Sequence, residues 1–464
     1  RAPTVLYGHG WGGSGETRRK GGSIEPFLKA GYNVITWDAR GFGGSGGTVQ
    51  IDDPRFEARD ASALITWLVR RPAARLESKR DPVVGMAGSS YGGGVQFITA
   101  ARDRRVDAIA PDIAWNTLNR SLYQRESVKL GWDLALIGAG IPTSVAQGAF
   151  SPAGVKKGNQ SPRFYRAVQQ GSATGTLGEG IQRWFRRHGP RGMLRHVKVP
   201  TLITQGTVDT LFTLTESVRN FKALSRNRIP LKMTWHCGGH GVCLTDSGPA
   251  EHLTKRRIAW FDRYLKHRRV KTGPRFEWID EEGRYHRHKR FPLRQIGRAS
   301  GAGSGVLTLS QGPQPTGGFV AAEPGAPGPT TLTIPIEGAD AGDHVLGAPK
   351  LRMTYKASGR STLLGREDRT YLYGQIVDDS RGSGGGPPGT LVVGNQAAPI
   401  PIKLQPGPPT KARELKLPLE TIASLAGDQG YSLQIVTQSN LYDFQRADGV
   451  IEIESAKIAL PIVR

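Results

Sequence analysis

The chain has 464 residues, of which 37% are hydrophobic, and its mean hydropathy is −0.38. This length exceeds one ordinary hydrophobic core and predicts two or three domains, and no apolar run approaches the about 18 residues that a membrane span requires. The net charge of +24 fits a polyanionic partner or basic residues spread over solvated faces. We favour the second interpretation and predict no specific nucleic-acid partner, because the basic residues are dispersed and no nucleic-acid-binding motif accompanies them.

The first part of the chain, up to about residue 270, alternates short apolar runs with helix-like patterns, as repeated βα units do. The runs predict parallel strands at Thr4–Gly8, Asn33–Asp38, Val83–Ala87, Val106–Pro111, Thr201–Gln205 and Leu231–Trp235. The periodic segments predict helices at Arg55–Arg70, Gly92–Arg102, Glu216–Leu224 and Ala250–His267. We therefore predict an α/β fold with a doubly wound, mostly parallel sheet, whose ligands bind at the carboxyl ends of the strands.

A stretch at about residues 116–198 interrupts this alternation with helical segments and Gly/Pro/Ser-rich joints, and we predict that it forms a helical cap. After Lys271 the pattern changes to short, often alternating apolar runs with dense glycine and proline, which favours an all-β sandwich or jelly roll. The predicted domains are 1–274 and 275–464.

The segment Gly88-Ser89-Ser90-Tyr91-Gly92 has the pattern G-x-S-x-G between a predicted strand and a predicted helix. This context is typical of a nucleophile elbow, a strained turn that exposes the central serine. Gly88 and Gly92 flank the turn at positions where a Cβ is expected to collide with neighbouring backbone. We predict that Ser90 is a nucleophile.

An elbow serine needs a base and a carboxylate that orients the base, in the chain order Ser, Asp or Glu, His. Asp209 follows the predicted strand Thr201–Gln205, and His240 lies in the flexible loop after Leu231–Trp235. Other histidines are less suitable, because His236 still belongs to the strand end and His9 precedes a glycine-rich turn. The predicted catalytic triad is Ser90, Asp209 and His240.

Two backbone amides are predicted to form the oxyanion hole, which stabilises the negative charge of an acyl-transfer intermediate. One belongs to Tyr91, directly after the nucleophile. The other belongs to Trp11 in the loop Gly8-His9-Gly10-Trp11-Gly12-Gly13 that follows the first strand.

The only two cysteines, Cys237 and Cys243, bracket His240. A disulfide between them would constrain the loop of the base and imply an oxidising compartment. The alternatives are a metal site with His236 and His240 or two free thiols. A metal would occupy the imidazole that the serine needs, so we favour the disulfide and predict neither metal nor cofactor.

Three segments, Gly88–Gly93, Gly206–Asp209 and Gly239–Gly241, resemble the motifs of the X-prolyl dipeptidyl-peptidase/cocaine-esterase family of serine hydrolases. The resemblance implies an α/β-hydrolase core, a helical cap and a C-terminal jelly roll. It also implies hydrolysis of acyl esters or removal of X-Pro dipeptides from peptides. The chain departs from the family in two ways: the hairpin that precedes the oxyanion strand is missing, which suggests an upstream truncation, and Trp11 replaces a tyrosine of the oxyanion loop.

We expect a serine hydrolase that cleaves a small acyl ester through an acyl-enzyme, with an X-Pro dipeptidyl-peptidase acting on short peptides as the alternative. A dipeptidyl-peptidase must hold a substrate ammonium, for which Asp112, Glu126 and Asp133 are candidates. A remoter alternative is a non-catalytic surface protein that binds polyanions or glycans. The expected location is secreted or in the cell envelope, and the sequence leaves the oligomeric state open.

Overall fold

A computed structural model describes residues 1–146, 160–312, 318–380, 390–428 and 430–463. Its first sheet has eight strands, and all neighbouring pairs are parallel except the pair formed by Tyr285–His288. Across the sheet the strands are ordered Tyr285–His288, Phe276–Ile279, Leu231–His236, Thr201–Gly206, Val106–Asp112, Val84–Ser89, Thr4–Gly8 and Asn33–Thr36. The predicted α/β fold is confirmed.

The central strands are buried on both faces, since successive side chains point to opposite sides of a sheet. Leu6, Met86 and Ile109 contribute to the core on one face, whereas their neighbours Val5 and Ala87 contribute to the core on the other. This is why these strands appear in the sequence as continuous apolar runs without polar alternation.

Helices cover both faces of this sheet. They span Glu25–Lys29, Glu57–Leu68, Tyr91–Arg102, Leu214–Leu224 and His252–Tyr264. In Glu57–Leu68 the buried residues Ala58, Ala61, Ile65 and Leu68 recur at intervals of three and four, which places them on one helical face. None of the helices in the described ranges has both the length and the apolar character needed to cross a bilayer.

The predicted cap region connects the strands Val106–Asp112 and Thr201–Gly206. Its described helices are Leu118–Leu122, Leu130–Ala146, Pro162–Thr174 and Glu179–Arg187, with a short hairpin of Tyr123–Gln124 and Ser127–Val128. Its aromatic residues Phe164, Trp184 and Phe185 pack in one cluster with Tyr91, the residue after Ser90. The cap therefore sits over the turn that carries the predicted nucleophile.

The first sheet continues beyond the boundary that we predicted at residue 274. Phe276–Ile279 pairs in parallel with Leu231–His236, and Tyr285–His288 pairs with Phe276–Ile279 in turn. The predicted boundary is therefore wrong. The second of these strands, Tyr-His-Arg-His, is polar and basic, which is common at the exposed edge of a sheet. Because its composition resembles that of a linker between domains, the sequence does not identify it as part of the first sheet.

The remaining strands form two antiparallel sheets that share one hydrophobic core, and we call them together the β domain. One sheet holds Gln295–Leu309, His344–Gly347, Lys350–Ser361, Arg413–Pro418, Ile422–Leu425 and Ala447–Val463. The other holds Thr331–Ile336, Arg369–Asp378, Leu391–Val392, Ala398–Lys403 and Tyr431–Val436. The expected all-β domain is confirmed, and its jelly-roll topology stays a prediction.

Candidate active site

Ser90 lies in a strained turn between the strand Val84–Ser89 and the helix Tyr91–Arg102. Its φ of 57° and ψ of −116° are unusual for a residue with a side chain. A Cβ added to Gly88 or to Gly92 would overlap the carbonyl oxygen of Gly8 on the neighbouring strand. The two flanking glycines therefore allow the backbone contact that holds the turn, as the sequence predicted.

The three residues of the predicted triad lie together in the order that the chemistry needs. Ser90 Oγ is 2.9 Å from His240 Nε2, and His240 Nδ1 is 2.8 Å from Asp209 Oδ2. Asp209 is fully buried, whereas the side chain of His240 is 15% exposed. A carboxylate at Nδ1 leaves Nε2 free to accept the serine proton, since it fixes the tautomer of the imidazole.

Residues 207–213, between the strand Thr201–Gly206 and the helix Leu214–Leu224, form a loop that we call the acid loop. This loop fixes the carboxylate of Asp209. The backbone amides of Leu211 and Phe212 donate to its Oδ1 at 3.0 and 2.7 Å. Gln205 Nε2 lies 3.4 Å from Oδ2, the oxygen that faces His240. Both oxygens are thus oriented by groups close in the chain, which favours one rotamer of Asp209.

Residues 237–251, between the strand Leu231–His236 and the helix His252–Tyr264, form the loop that carries His240, which we call the base loop. It packs directly on the acid loop. A Cβ on Gly239, whose φ is +107°, would lie 2.6 Å from Asp209 Cβ. A Cβ on Gly241 would overlap the carbonyl oxygen of Val208. Only glycine fits at these two positions, because the backbones of the two loops touch.

Comparison with known proteins is consistent with this arrangement. The model of the X-Pro dipeptidyl-peptidase (S15 family) matches residues 1–242, which is more than half of the chain. The chain belongs to this family. The predicted resemblance is confirmed, and with it the prediction of a serine hydrolase.

Two solved structures resemble the whole chain at low sequence identity, which supports the fold alone. A CocE/NonD family hydrolase from Staphylococcus aureus has a TM-score of 0.63 and 16% identity, covering 100% of this chain and 89% of its own. An α-amino acid ester hydrolase has a TM-score of 0.70 and 15% identity, covering 99% of this chain and 92% of its own.

Curated relatives match this S15 family member over short segments. An uncharacterized 31.7 kDa protein from Escherichia coli is 36% identical over 89 residues, which are 19% of this chain and 29% of that protein. The chain thus spans less than a third of the length of this relative.

The two cysteines of this family member form a disulfide, one of the three alternatives that the sequence left open. Cys237 and Cys243 have Cα atoms 5.6 Å apart and enclose His240. The His236 side chain turns away from this loop to Asp112, at 3.3 Å. The two sulfur atoms are bonded to each other, so neither cysteine is a free thiol. The imidazole of His240 contacts the carboxylate of Asp209.

Removing the disulfide is expected to loosen the base loop. We expect Cys237→Ser combined with Cys243→Ser to lower stability by about 2 kcal/mol, as the closure of a short loop predicts, and to lower kcat because His240 is less well placed. Thermal melts and ester hydrolysis with and without dithiothreitol measure both effects. The reductant should weaken the wild type and leave the double variant unchanged. Equal sensitivity of both proteins would contradict the role of this bond.

A buried polar cluster supports the elbow from behind. The carbonyl oxygen of Asp112 accepts a hydrogen bond from the Ser90 amide at 2.9 Å, and its carboxylate accepts one from Ser89 Oγ at 2.6 Å. Arg257 lies 2.9 Å from the same carboxylate. Burial raises the pKa of Asp112, but Arg257 and His236 more than offset this and hold it below its usual range. Asp112 thus acts as an ionised anchor, and its place at the end of Val106–Asp112 is the sequence signal that could have identified it.

A second buried carboxyl group, Asp52, lies on the other side of the elbow helix, close to Gly94. Both of its oxygens are buried without a hydrogen-bond partner in the described part of the chain. Burial, with the nearby Glu57, raises its pKa well above the usual value. Burial likewise raises the pKa of Glu57 to about 7, and Glu57 Oε1 accepts a hydrogen bond from Tyr91 Oη at 3.1 Å.

We expect Asp52→Asn to stabilise the protein increasingly as the pH rises. A raised folded-state pKa means that the wild type must keep its proton on folding, so its stability falls with pH above the unfolded pKa of about 4 by up to about 1.4 kcal/mol per pH unit. Asparagine has no such dependence and tolerates the φ of +53° at this position. Melting temperatures at pH 5, 7 and 8 test this, and a gain that is constant over the range would contradict it.

The two predicted oxyanion donors lie on either side of Ser90. Tyr91 is the first residue of its helix, where backbone amides have no partner within the helix. A Cβ added to Gly10, next to Trp11, would lie 3.9 Å from Ser90 Cβ, so this loop runs beside the nucleophile. The Trp11 indole donates to the Leu136 carbonyl of the cap at 2.8 Å. Only the backbone amide of Trp11 is thus left to serve a reacting carbonyl.

Aromatic rings surround His240. The rings of Trp132 and Phe212 lie 5.7 and 5.0 Å from the imidazole, both edge to face. Phe319 of the β domain lies 4.8 Å from Trp132. No sequence pattern brings these three aromatic residues together, because they come from the cap, the acid loop and the β domain.

Proposed function

We propose that this protein hydrolyses acyl esters through a Ser90–His240–Asp209 triad and an acyl-enzyme intermediate. The observation that carries the proposal is the pair of contacts at 2.9 and 2.8 Å that His240 makes with Ser90 and Asp209. His240 takes the proton of Ser90 as the hydroxyl attacks the carbonyl carbon, and Asp209 stabilises the resulting imidazolium. His240 then returns the proton to the leaving group and activates the water that releases the acid.

The backbone amides of Tyr91 and Trp11 are proposed to hold the oxyanion in both steps. Preorganised donors of this kind stabilise the charge that develops on the carbonyl oxygen, and loss of one such donor raises the barrier by about 3 kcal/mol in a serine protease. The helix Tyr91–Arg102 supports this assignment, because the positive end of its dipole points towards Ser90.

The charges around Ser90 favour an ester over a substrate with a free ammonium group. A cleft of about 510 Å³ beside Ser90 is lined by a single carboxylate among the described residues, that of Glu16. Glu16 pairs with Arg18 at 3.0 Å, and this pairing lowers the pKa of the carboxyl to about 2. The described lining of the cleft therefore offers no unpaired negative charge for an ammonium group.

The three acids that the sequence suggested for an ammonium group are paired with arginines or buried. Asp112 pairs with Arg257, and Glu126 pairs with Arg366 and with Arg369. Asp133 is 4% exposed, and burial raises its pKa well above the usual value, which disfavours the charged form that an ammonium group would need. These observations favour esters, whereas the name of the family model favours X-Pro peptides as the second candidate.

Hydrolysis of two chromogenic substrates by one preparation tests the proposal. We expect nitrophenyl butyrate to be cleaved with a much larger kcat/KM than Ala-Pro-nitroanilide, and Ser90 to react with a fluorophosphonate probe. Preferred cleavage of the anilide would establish the dipeptidyl-peptidase instead. Failure of the probe to label Ser90, together with retention on a polyanion or glycan resin, would support the non-catalytic binding protein.

The disulfide supports one further proposal, that the protein acts outside the reducing cytosol. Disulfides persist in oxidising environments such as the periplasm, the cell surface and the extracellular medium. The proposed substrate in such a compartment is a small ester.

A further inference from the structure

The acid loop and the base loop are both hydrogen-bonded to the β domain. Gln396 Nε2 donates to the carbonyl of Asp209 at 2.7 Å, and Asn395 Nδ2 donates to the carbonyl of Val242 at 2.7 Å. Two backbone carbonyls of the β domain complete the set: Phe319 accepts from Thr210 Oγ1 at 3.1 Å, and Val320 accepts from the Val242 amide at 3.3 Å. We call these four β-domain residues the clamp.

The two clamp residues that donate through their side chains, Asn395 and Gln396, are held in place by burial and by the local backbone. Asn395 and Gln396 are 2% and 5% exposed. Asn395 ends the short turn Val393–Asn395, and Gln396 follows it. The turn packs on the acid loop, since a Cβ on Gly394 would lie 3.0 Å from the carbonyl oxygen of Thr207. Asn395 has a left-handed φ of +56°, which asparagine and aspartate adopt more readily than other residues with a side chain. Consecutive residues of one turn therefore reach the two catalytic loops with one amide each.

We propose that Gln396 and Asn395 are positioning residues of the triad, which fix the distance and orientation of Asp209 and His240 relative to each other. The inference rests on the proposed function. Gln396 binds the backbone of Asp209 itself, and Asn395 binds the backbone two residues after His240. Together they define the spacing of the two loops at the point where the imidazole meets the carboxylate.

Loss of either amide would change the chemistry more than the stability. A buried carbonyl without its donor is costly, so the loop is expected to move until the carbonyl finds another partner or water. A displacement of about 1 Å in a catalytic group is enough to lower the rate by about 100-fold. Substrate binding depends on other groups, so kcat is expected to fall while KM changes little.

The test compares Gln396→Met with Gln434→Met, using nitrophenyl butyrate as the probe substrate. Both substitutions replace a buried glutamine of the β domain by a side chain of similar length without a donor. Gln434 bonds to Gly325 and Gln375 and to neither catalytic loop. We expect kcat to fall by about 10- to 100-fold in Gln396→Met, with KM within about twofold, and to stay within about twofold in Gln434→Met.

The pH profile of kcat/KM separates positioning from loss of stability. Its acid limb reports protonation of the base, and a weaker contact with Asp209 makes the imidazolium easier to deprotonate. We therefore expect the acid limb to move to lower pH in Gln396→Met and to keep its position in Gln434→Met.

A second variant, Asn395→Asp, keeps the left-handed turn and the shape of the side chain but replaces the donor by an acceptor. It should reproduce the loss of kcat even if Gln396→Met fails to fold. Unchanged kcat and pH profile in the folded clamp variants would overturn the inference, as would an equal effect in Gln434→Met. An inactive wild type without fluorophosphonate labelling would instead contradict the proposed function.

Discussion

Replacing Ser90 by alanine is expected to lower kcat for nitrophenyl butyrate by about a millionfold, the loss that removal of a triad serine causes in serine proteases. Without Oγ no acyl-enzyme forms, and His240 has no proton to accept. The oxyanion amides remain, so a residual rate of about 10³- to 10⁴-fold over water is expected from binding and charge stabilisation. Because Ser90 is partly exposed and its hydroxyl is hydrogen-bonded to His240, the melting temperature should change by only a few degrees.

Ser225→Ala is the matched control for this substitution. Ser225 is exposed at the end of the helix Leu214–Leu224 and bonds only locally, to the carbonyl of Lys222. This variant should retain wild-type kcat and react with a fluorophosphonate, whereas Ser90→Ala should not react. Turnover by Ser90→Ala within about tenfold of the wild type, in a preparation free of other esterases, would rule out the proposed mechanism.

The second large effect is expected from Gly92→Ala. Alanine is the better helix former by about 1 kcal/mol, so helix propensity alone predicts stabilisation. The structure predicts the opposite: the new Cβ would overlap the carbonyl oxygen of Gly8 and lie 3.0 Å from that of His9. The Gly8 carbonyl cannot move freely, because Gly8 belongs to a strand that is paired on both sides in the sheet. We expect a loss of about 3 kcal/mol or more, together with loss of ester hydrolysis.

Gly180→Ala tests whether this loss comes from the close approach. Gly180 is the second residue of the helix Glu179–Arg187, as Gly92 is of the helix Tyr91–Arg102, but a Cβ there would meet nothing within 4 Å. We expect Gly180→Ala to raise the melting temperature slightly and to leave kcat unchanged. Similar melting temperatures for the two variants would show that the elbow tolerates a Cβ and would contradict the packing argument.

The contact of His240 with Ser90 and Asp209 could be predicted from the sequence because each of the three residues sits at the carboxyl end of a parallel strand. Short apolar runs locate those ends, and all such ends meet at one edge of the sheet. The clamp could not be predicted in this way. Asn395 and Gln396 lie in a turn with no motif, and they reach the triad only because two domains pack together, which no local pattern records.

Strand boundaries show the same limit. The strand Gln295–Leu309 has an apolar run only from Val306 onwards, because its first part, from Gln295 to Gly305, is rich in glycine and small residues and lacks apolar alternation. Pairing with Ala447–Val463 holds this part in the sheet. Pairing with a strand that is distant in sequence thus stabilises a segment whose own residues have low β propensity.

The strand Ala447–Val463 has a consequence for the way the enzyme is assembled. It pairs with three strands, Gln295–Leu309, His344–Gly347 and Lys350–Ser361, all of which are made much earlier during synthesis. Contacts between residues so far apart in sequence form slowly. The β domain cannot close its sheet before this strand has left the ribosome, and the clamp on the catalytic loops depends on that domain. A nascent chain with an intact Ser90, Asp209 and His240 is therefore expected to become an efficient enzyme only after this strand has joined the sheet.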